Sequence, residues 1–471
     1  MEQINNAGKV VVIGAGPVGL SAAVHLLDRG LDPVILERGP SAGHAMAKWG
    51  HVRVFTPWKY VTDHAVTRRL EQAGWAHPAG DHLPTGGEIV AEYLIPAATL
   101  PQLQDRIHFN AEVTAVSKRG LSKSSSARRG DVPFTVHYTG PDGRGAVMRA
   151  DAVIDASGTW FNPNPVGAEG LPVPGEQEFA RHISYGLPNV WGDDRQAYEG
   201  KTTLVLGGGH SAINVVLDIL QLKETAEDTR LVWGLRQNRI EKLLGGGIND
   251  ELPARRALGL AAKQAIDDGV LELLAPVQVQ RIRAAGPATP GEAELAVDIT
   301  VDGQDRTIQV DRIVVAAGFR PNLDMLRELR LDLDQVVEAP RILAPLIDPN
   351  LHSCGTVRPH GVDELSHPDE NFFITGMKAY GRAPTFLMKT GYEQVRSIAD
   401  ELAGNHRAAR RIELDLPETG VCNSRPQSSV PGGAIAPAAA DTGCCGGGAV
   451  TPTDATTSTN APAPAGAGCC G

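Results

Sequence analysis

The stretch from Val10 to Glu37 constrains the fold of this chain more than any other. It opens on four consecutive β-branched residues, Val10–Ile13, which are typical of a buried parallel strand. Three glycines in a G-x-G-x-x-G pattern follow directly: Gly14, Gly16 and Gly19. In a dinucleotide-binding turn, the first glycine permits the tight turn and the second lets the backbone approach a pyrophosphate. The third allows close packing of helix against strand.

The residues around these glycines supply the rest of a βαβ unit. Pro17 stands where a helix would begin, and Gly30 stands where it would end. Residues 31–36 predict a second strand, which leads into Glu37. The spacing from Gly19 to Glu37 is close to the roughly 20 residues of a dinucleotide-binding pattern, in which the acidic residue accepts hydrogen bonds from a ribose. A glycine-rich turn without a ligand is the simpler alternative, but this order of elements favours a nucleotide site.

A second pattern of the same kind occurs further along the chain. Residues 203–206 predict a strand, and a G-x-G-x-x-A sequence follows it: Gly207, Gly209 and Ala212. Residues 231–235 predict the next strand, and Arg236 stands where the first unit has its carboxylate. Because an arginine there can pair with a 2′-phosphate, the second site is expected to prefer NADPH to NADH. A solvated surface arginine is the alternative.

Composition limits the remaining possibilities. A chain of 471 residues is expected to form two or three domains. Its formal net charge of −11 argues against a general nucleic-acid binder, which would carry a basic face. No apolar run reaches the roughly 18 residues of a membrane-spanning helix, and the first residues lack the pattern of a signal peptide. We therefore expect a cytoplasmic protein with neither a nucleic-acid nor a membrane partner.

These patterns predict an α/β fold with two Rossmann-like dinucleotide-binding domains. Ala150–Thr159 and Ile308–Pro321 each predict a strand that ends in small residues, and we interpret the second as the return of the chain to the first domain. The second domain would then be inserted into a discontinuous first domain. The expected boundaries are 1–165 for the first part of the first domain, 166–309 for the second domain, 310–422 for the second part of the first domain, and 423–471 for a tail.

Other segments carry weaker signals. Ile107–Val116 and Phe134–Tyr138 predict strands of an antiparallel ribbon, and Phe372–Ala403 predicts a strand, a turn and a long helix. The segment between the first βαβ unit and this ribbon is rich in aromatic residues, Gly and Pro. Its aromatic residues are candidates for the wall of a flat cofactor, with core packing as the alternative: Trp49, Phe55, Trp58 and Tyr60.

The tail, 423–471, is dominated by Pro, Ala, Gly, Ser and Thr and is expected to be disordered, because almost nothing in it could offset the entropy of ordering. No cysteine precedes Cys354, so the chain has no disulfide framework of the secreted type. Two C-C-G sequences in the tail contain the candidate metal ligands Cys444, Cys445, Cys469 and Cys470. Adjacent thiolates suit a soft ion such as Cu(I), Zn(II) or trivalent arsenic; sequence drift in a low-complexity tail is the alternative.

Two dinucleotide patterns, with the first domain divided around the second, resemble the flavoproteins with two dinucleotide-binding domains. The flavin-dependent monooxygenases and the related pyridine-nucleotide flavin oxidoreductases are most similar. G-A-G-P-V-G-L…E-R resembles their FAD site, G-G-G-H-S-A resembles their NADPH site, and D-A-S-G-T-W and A-A-G-F-R-P-N resemble their two linkers. The resemblance implies that FAD is held by Gly14, Gly16, Gly19, Glu37 and Arg38. It implies that NADPH is held by Gly207, Gly209, Ser211 and Arg236, and that Gly318 and Gly376 lie beside the cofactors.

The implied activity is that of an NADPH-dependent flavin oxidoreductase of monooxygenase type, acting on a small substrate with oxygen. The stretch closest to a monooxygenase signature contains His182, a candidate catalytic residue for which a structural histidine is the alternative. The body together with its cysteine-pair tail is similar to flavoproteins associated with arsenic resistance. Two alternatives remain: a thiol-relay reductase that uses the tail cysteines on disulfides or metals, and a non-enzymatic flavoprotein that binds a metalloid.

Overall fold

The computed structural model describes residues 8–237, 253–286, 294–348, 358–383 and 386–414. By contacts the chain divides into two units, Met1–Ser424 and Arg425–Gly471, and all described residues belong to the first. Within the described ranges, no helix combines the length and the apolar character needed to cross a bilayer.

Parallel strands dominate the part of the chain that the structure describes. In chain order the strands are β1 (Lys9–Ile13), β2 (Asp32–Leu36), β3 (Ile107–His108), β4 (Glu112–Lys118), β5 (Phe134–Thr139), β6 (Gly145–Ala150), β7 (Ala152–Asp155), β8 (Ile183–Tyr185), β9 (Thr202–Leu206), β10 (Arg230–Gly234), β11 (Glu272–Leu274), β12 (Val277–Ala284), β13 (Leu295–Val301), β14 (Gln304–Val310), β15 (Arg312–Val315) and β16 (Phe372–Ile374).

The helices range from single turns to four turns. They are α1 (Pro17–Asp28), α2 (His44–Ala47), α3 (Trp58–Val61), α4 (His64–Gln72), α5 (Gly86–Ile89), α6 (Ile95–Ala98), α7 (Arg195–Tyr198), α8 (His210–Thr225), α9 (Pro253–Asp267), α10 (Ala344–Ile347), α11 (Val362–Leu365), α12 (Met388–Leu402) and α13 (His406–Ala409). A π-helical turn covers Val90–Leu94, and 3-10 turns cover Gln104–Arg106, Ala180–His182, Asp324–Leu326 and Gly376–Tyr380.

The first sheet contains the first glycine pattern and has the strand order β16-β7-β1-β2-β3. All its neighbouring strands are parallel, so their carboxyl ends meet at one edge. The predicted ribbon strand over Ile107–Val116 is wrong in its first half, because Ile107 and His108 pair with β2 in this parallel sheet. The second half is confirmed: β4 pairs antiparallel with β5.

The second sheet contains the second glycine pattern and has the strand order β11-β10-β9-β15-β8, again entirely parallel. The chain was expected to return to the first domain at residue 310, and this prediction is wrong for β15. Arg312–Val315 pairs with β9 and β8 in the second sheet, and the chain rejoins the first sheet only at Phe372. With this change, the predicted α/β fold is confirmed, in which the unit with the second glycine pattern interrupts the unit with the first.

Each parallel sheet is accompanied by a small antiparallel one, with orders β4-β5-β6 and β12-β13-β14. Beside the first sheet, helix α12 packs along α1 and is fixed by charge. Arg29 donates two hydrogen bonds to Asp400, at 2.7 and 2.6 Å, in the bidentate geometry that gives strong pairs. This pairing joins the C-terminal ends of the two helices.

Candidate dinucleotide sites

The first glycine turn has two glycines that packing requires and one that faces open space. Gly14 has φ +99°, and a Cβ atom on it would lie 2.9 Å from the carbonyl oxygen of Ala156. A Cβ on Gly19 would overlap the carbonyl oxygen of Gly14. At Gly16, by contrast, none of the described residues has an atom within 4 Å of the Cβ position. Gly16 stands directly before α1, so the free space adjoins a helix N-terminus, which favours anions.

Glu37 is held in a fixed orientation beside this turn. Its side chain is 7% exposed, and its carboxylate accepts hydrogen bonds from the backbone N–H groups of Ala15 and Gly39, both at 2.7 Å. Each carboxylate oxygen keeps a second lone pair. The carboxylate is therefore oriented by the backbone and still able to accept hydrogen bonds from hydroxyl groups.

Arg38 continues this edge of the sheet toward the first linker. Its guanidinium lies 4.3 Å from the ring centroid of Phe161 and pairs with Glu112 at 2.9 Å. The same ring stacks on His44 at 5.7 Å. Arg38 thus contributes a partly exposed cation to the rim of the first site.

The second glycine turn repeats this division of roles. Gly207 has φ +138°, and a Cβ there would overlap the carbonyl oxygen of Ala316. Gly209 is the residue before α8, and no described atom lies within 4 Å of its Cβ position. Ser211 lies in the first turn of that helix and is partly exposed. Arg236 is exposed just beyond the carboxyl end of β10, and its contact with a 2′-phosphate stays a prediction.

The two linkers between the sheets lie side by side. Asn164 donates from its backbone to the carbonyl of Gly318 at 3.0 Å and from its side chain to the carbonyl of Ala317 at 3.0 Å. The Asn162 side chain donates to the carbonyl of Pro321 at 3.1 Å. A short antiparallel bridge pairs Pro163 with Phe319. Gly318 is thereby fixed within the paired crossing between the two nucleotide units.

Aromatic rings fill the space where the two nucleotide-binding units approach each other. Trp160 of the first linker lies 4.7 Å from Phe319 of the second and 6.4 Å from Trp49. Phe55 meets the ring of His210, the first residue of α8, edge-on at 5.4 Å. Trp49 and Phe55 thus lie between the two nucleotide-binding units. Trp58 is 1% exposed within the core, as the core-packing alternative predicts.

Gly376 and the start of α12 complete the carboxyl edge of the first sheet. The Gly376 N–H donates to Gln394 Oε1 at 2.7 Å. A Cβ on Gly391, in the first turn of α12, would lie 2.6 Å from Val18 Cγ2, so the starts of α12 and α1 pack together. Burial lowers the pKa of Lys389 in this turn, although the negative charge of Asp63 opposes the shift.

Sequence reasoning missed one buried cluster at this edge. Lys378 Nζ lies 2.6 Å from Asp155 Oδ2 and 3.1 Å from Ser157 Oγ. The ion-paired side chains are 1% and 0% exposed. The sequence shows only a lysine two residues beyond Gly376; its burial depends on Asp155, which belongs to a strand that is distant in sequence.

His182 lies elsewhere. It precedes β8, so it is at the amino ends of the second sheet, opposite the glycine turn. It is 4% exposed; Arg181 donates to its Nε2 at 2.8 Å, and its Nδ1 lies 3.4 Å from the Glu294 carboxylate. This geometry favours the structural alternative for His182 over the catalytic one.

The predicted metal ligands lie outside the described residues: Cys444, Cys445, Cys469 and Cys470. Across the described ranges, no group of three or more His, Cys, Asp or Glu side chains is arranged to hold a metal ion.

Comparison with known proteins agrees with this architecture. Residues 11–230 match the pyridine nucleotide-disulphide oxidoreductase family. No curated protein sequence matches the chain significantly. Solved structures with a similar fold include a bacillithiol disulfide reductase from Bacillus cereus, with 20% identity, 85% of this chain and 99% of that chain covered, and a TM-score of 0.60.

Two monooxygenases share the fold as well. One is the cadaverine monooxygenase of desferrioxamine biosynthesis from Erwinia amylovora, with 14% identity, coverage of 88% and 99%, and a TM-score of 0.56. The other is a flavin-containing monooxygenase from Stenotrophomonas maltophilia, with 21% identity, coverage of 84% and 98%, and a TM-score of 0.51. At these identities the likeness concerns the fold. The chain thus has the fold of flavoprotein oxidoreductases with two dinucleotide-binding domains, and its residues 11–230 match the pyridine nucleotide-disulphide oxidoreductase family.

Proposed function

We propose that this protein is an NADPH-dependent FAD oxidoreductase of monooxygenase type that acts on a small substrate with oxygen. The observation that carries the proposal is the repeated turn. In each parallel sheet, a glycine with open space at its Cβ position, Gly16 or Gly209, stands directly before a long helix. Two such turns suit two dinucleotides, one as the resident cofactor and the other as the reductant.

The residues of the first turn fit FAD. Gly16 leaves room for a pyrophosphate at the start of α1, while Gly14 and Gly19 keep the turn tight. The oriented carboxylate of Glu37 suits ribose hydroxyls. Arg38 and Gly376 belong to the rim of the same site. FAD supplies the acceptance of hydride and the onward transfer of electrons, and these residues bind and orient it.

The residues of the second turn fit NADPH. Gly209 and Ser211 lie at the start of α8, with Gly207 behind them, and Arg236 is exposed at the end of the adjacent strand. A guanidinium pairs well with a phosphate monoester. The paired linkers, the second of which contains Gly318, join this site to the first. The aromatic cluster of Trp49, Trp160 and Phe319 would exclude water from the space between the two nucleotide-binding units.

The distribution of cysteines favours oxygen over a disulfide as the acceptor. No cysteine precedes Cys354, so neither glycine turn has a nearby thiol pair in sequence. Anaerobic protein mixed with NADPH should lose its flavin absorbance within one turnover. Admitting oxygen should then yield an oxygenated product with at least one member of a substrate panel of sulfides, amines and trivalent arsenicals. Peroxide in full yield with every substrate, together with rapid reoxidation by disulfides, would point to a reductase instead.

We propose a second, separate role for the tail as a ligand for a thiophilic metalloid. The observation in its favour is the pair of C-C-G sequences, both of which belong to the second contact unit, Arg425–Gly471. Deleting residues 423–471 should leave FAD binding and NADPH-driven flavin reduction nearly unchanged and remove most protein-bound arsenite, because Cys354 and Cys422 alone remain.

A variant with serine at the four tail cysteines controls for the length of the tail and should lose arsenite binding equally. Arsenite bound equally by the intact and truncated proteins would refute the tail site. If the serine variant instead lost turnover with disulfides or metals as substrates, the thiol-relay alternative would hold.

A further inference from the structure

A buried ion pair joins the carboxyl ends of two neighbouring strands in the first sheet. Asp155 is the last residue of β7, and Lys378 lies in the turn after β16; the two strands are parallel neighbours. Their side chains are 0% and 1% exposed, and Nζ lies 2.6 Å from Oδ2. A pair buried this deeply contributes little net stability, because both charges lose their hydration. Its presence calls for another explanation.

The pair is linked to the first linker through Ser157. The second carboxylate oxygen of Asp155 accepts the backbone N–H of Ser157 at 3.1 Å and its hydroxyl at 2.6 Å. Lys378 donates to the same hydroxyl at 3.1 Å. Ser157 itself is partly exposed. Three hydrogen bonds therefore fix the conformation of a residue that faces the open edge of the sheet.

Ser157 in turn borders the glycine turn. The Cβ position of Gly14 lies 3.2 Å from Ser157 Cα. On the other side of the pair, the Cβ position of Gly376 lies 3.3 Å from Val18 Cγ2, in the first turn of α1. The pair thus supports two backbone segments, one beside the Gly14 turn and one beside the first turn of α1.

We infer that Lys378 is a positioning residue for FAD: through Asp155 and Ser157 it holds the linker backbone against the Gly14 turn before the cofactor binds. The inference rests on the proposed FAD site. A preformed site binds tightly because the ordering cost is already met in the free protein. Loss of the pair therefore weakens FAD binding even when the fold stays intact.

The test compares two neutralised ion pairs in full-length apoprotein. Asp155→Asn with Lys378→Met removes the pair at the carboxyl edge. Arg129→Met with Asp369→Asn removes an equally buried pair, 6% and 1% exposed, whose carboxylate precedes β16 at the opposite edge of the sheet. The first variant should bind FAD about tenfold more weakly and give an altered circular dichroism of the bound flavin. The second should keep both properties, at a comparable melting temperature.

Ser157→Ala provides a variant that leaves both charges in place. It should weaken FAD binding severalfold with an unchanged melting temperature, so the inference stays testable if the neutralised pair fails to fold. Wild-type FAD affinity in the Asp155/Lys378 variant or in Ser157→Ala would overturn the inference. Equal weakening by both neutralised pairs would also overturn it. Failure of the wild-type apoprotein to bind FAD would instead refute the proposed function.

Discussion

Gly16→Val is expected to give a folded protein that contains almost no FAD. The structure leaves open space around the Gly16 Cβ position, so an added Cβ atom meets no described atom beyond its own chain neighbours. It would instead occupy the space that a pyrophosphate needs. Losing two amide–phosphate hydrogen bonds, each worth about 1.5–3 kcal/mol, lowers affinity by more than about 100-fold. Flavin absorbance per chain after purification, and titration of the apoprotein with FAD, measure the effect.

Gly209→Val is the matched control, since this glycine has the same open surroundings in the second turn. It should keep a full complement of FAD and lose reduction by NADPH. Gly145→Val, on an exposed strand of a small sheet with open space at its Cβ position, should change neither property. A Gly16→Val protein that carried FAD in full would refute the assignment of the first site.

Arg236→Ala is expected to raise the Michaelis constant for NADPH about ten- to hundredfold and to leave that for NADH nearly unchanged. The guanidinium is exposed just beyond β10, and a charge-assisted contact to a phosphate is worth about 1.5–3 kcal/mol. NADH lacks the 2′-phosphate, so its binding does not depend on this contact. Initial rates of flavin reduction at varied NADPH and NADH concentrations measure the two Michaelis constants.

Arg144→Ala serves as its control, because Arg144 is also exposed but lies at the β5–β6 turn, beside a different sheet. It should leave both Michaelis constants unchanged. Equal effects of Arg236→Ala on NADPH and NADH would mean that another residue reads the phosphate. Arg239, the other arginine near this position in the sequence, lies outside the described residues.

The elements around the glycine turns were predictable because their signals are local. The predicted start of α1 at Pro17 is confirmed, and the strand predicted over 31–36 differs from β2 by one residue. Strand partners depend on segments that are distant in the sequence. The strand that begins at Ile107 pairs with β2, and the strand that begins at Arg312 pairs with β9. In hydrophobic character, however, these two strands do not differ from strands of the other sheets. Composition alone does not distinguish one parallel sheet from another.

The same limit applies to the site. Gly16 and Gly209 follow a recognisable spacing, so their positions before the helices could be predicted. His182 and Lys378 could not be assigned, because their roles depend on which end of a strand they occupy. The strand order places His182 at an amino edge and Lys378 at a carboxyl edge. Lys378 also needs Asp155, which is contributed by a strand far earlier in the chain.

The paired linkers have a mechanical consequence. Two separate tethers would let one nucleotide unit swing and twist against the other with little resistance. Here Asn162 and Asn164 of the first linker donate hydrogen bonds to the second linker, and Pro163 forms a bridge with Phe319. The two linkers are therefore coupled along this short stretch. Any rotation of one nucleotide-binding unit against the other must therefore deform both linkers together, and we expect that rotation to take place about the bridge between Pro163 and Phe319.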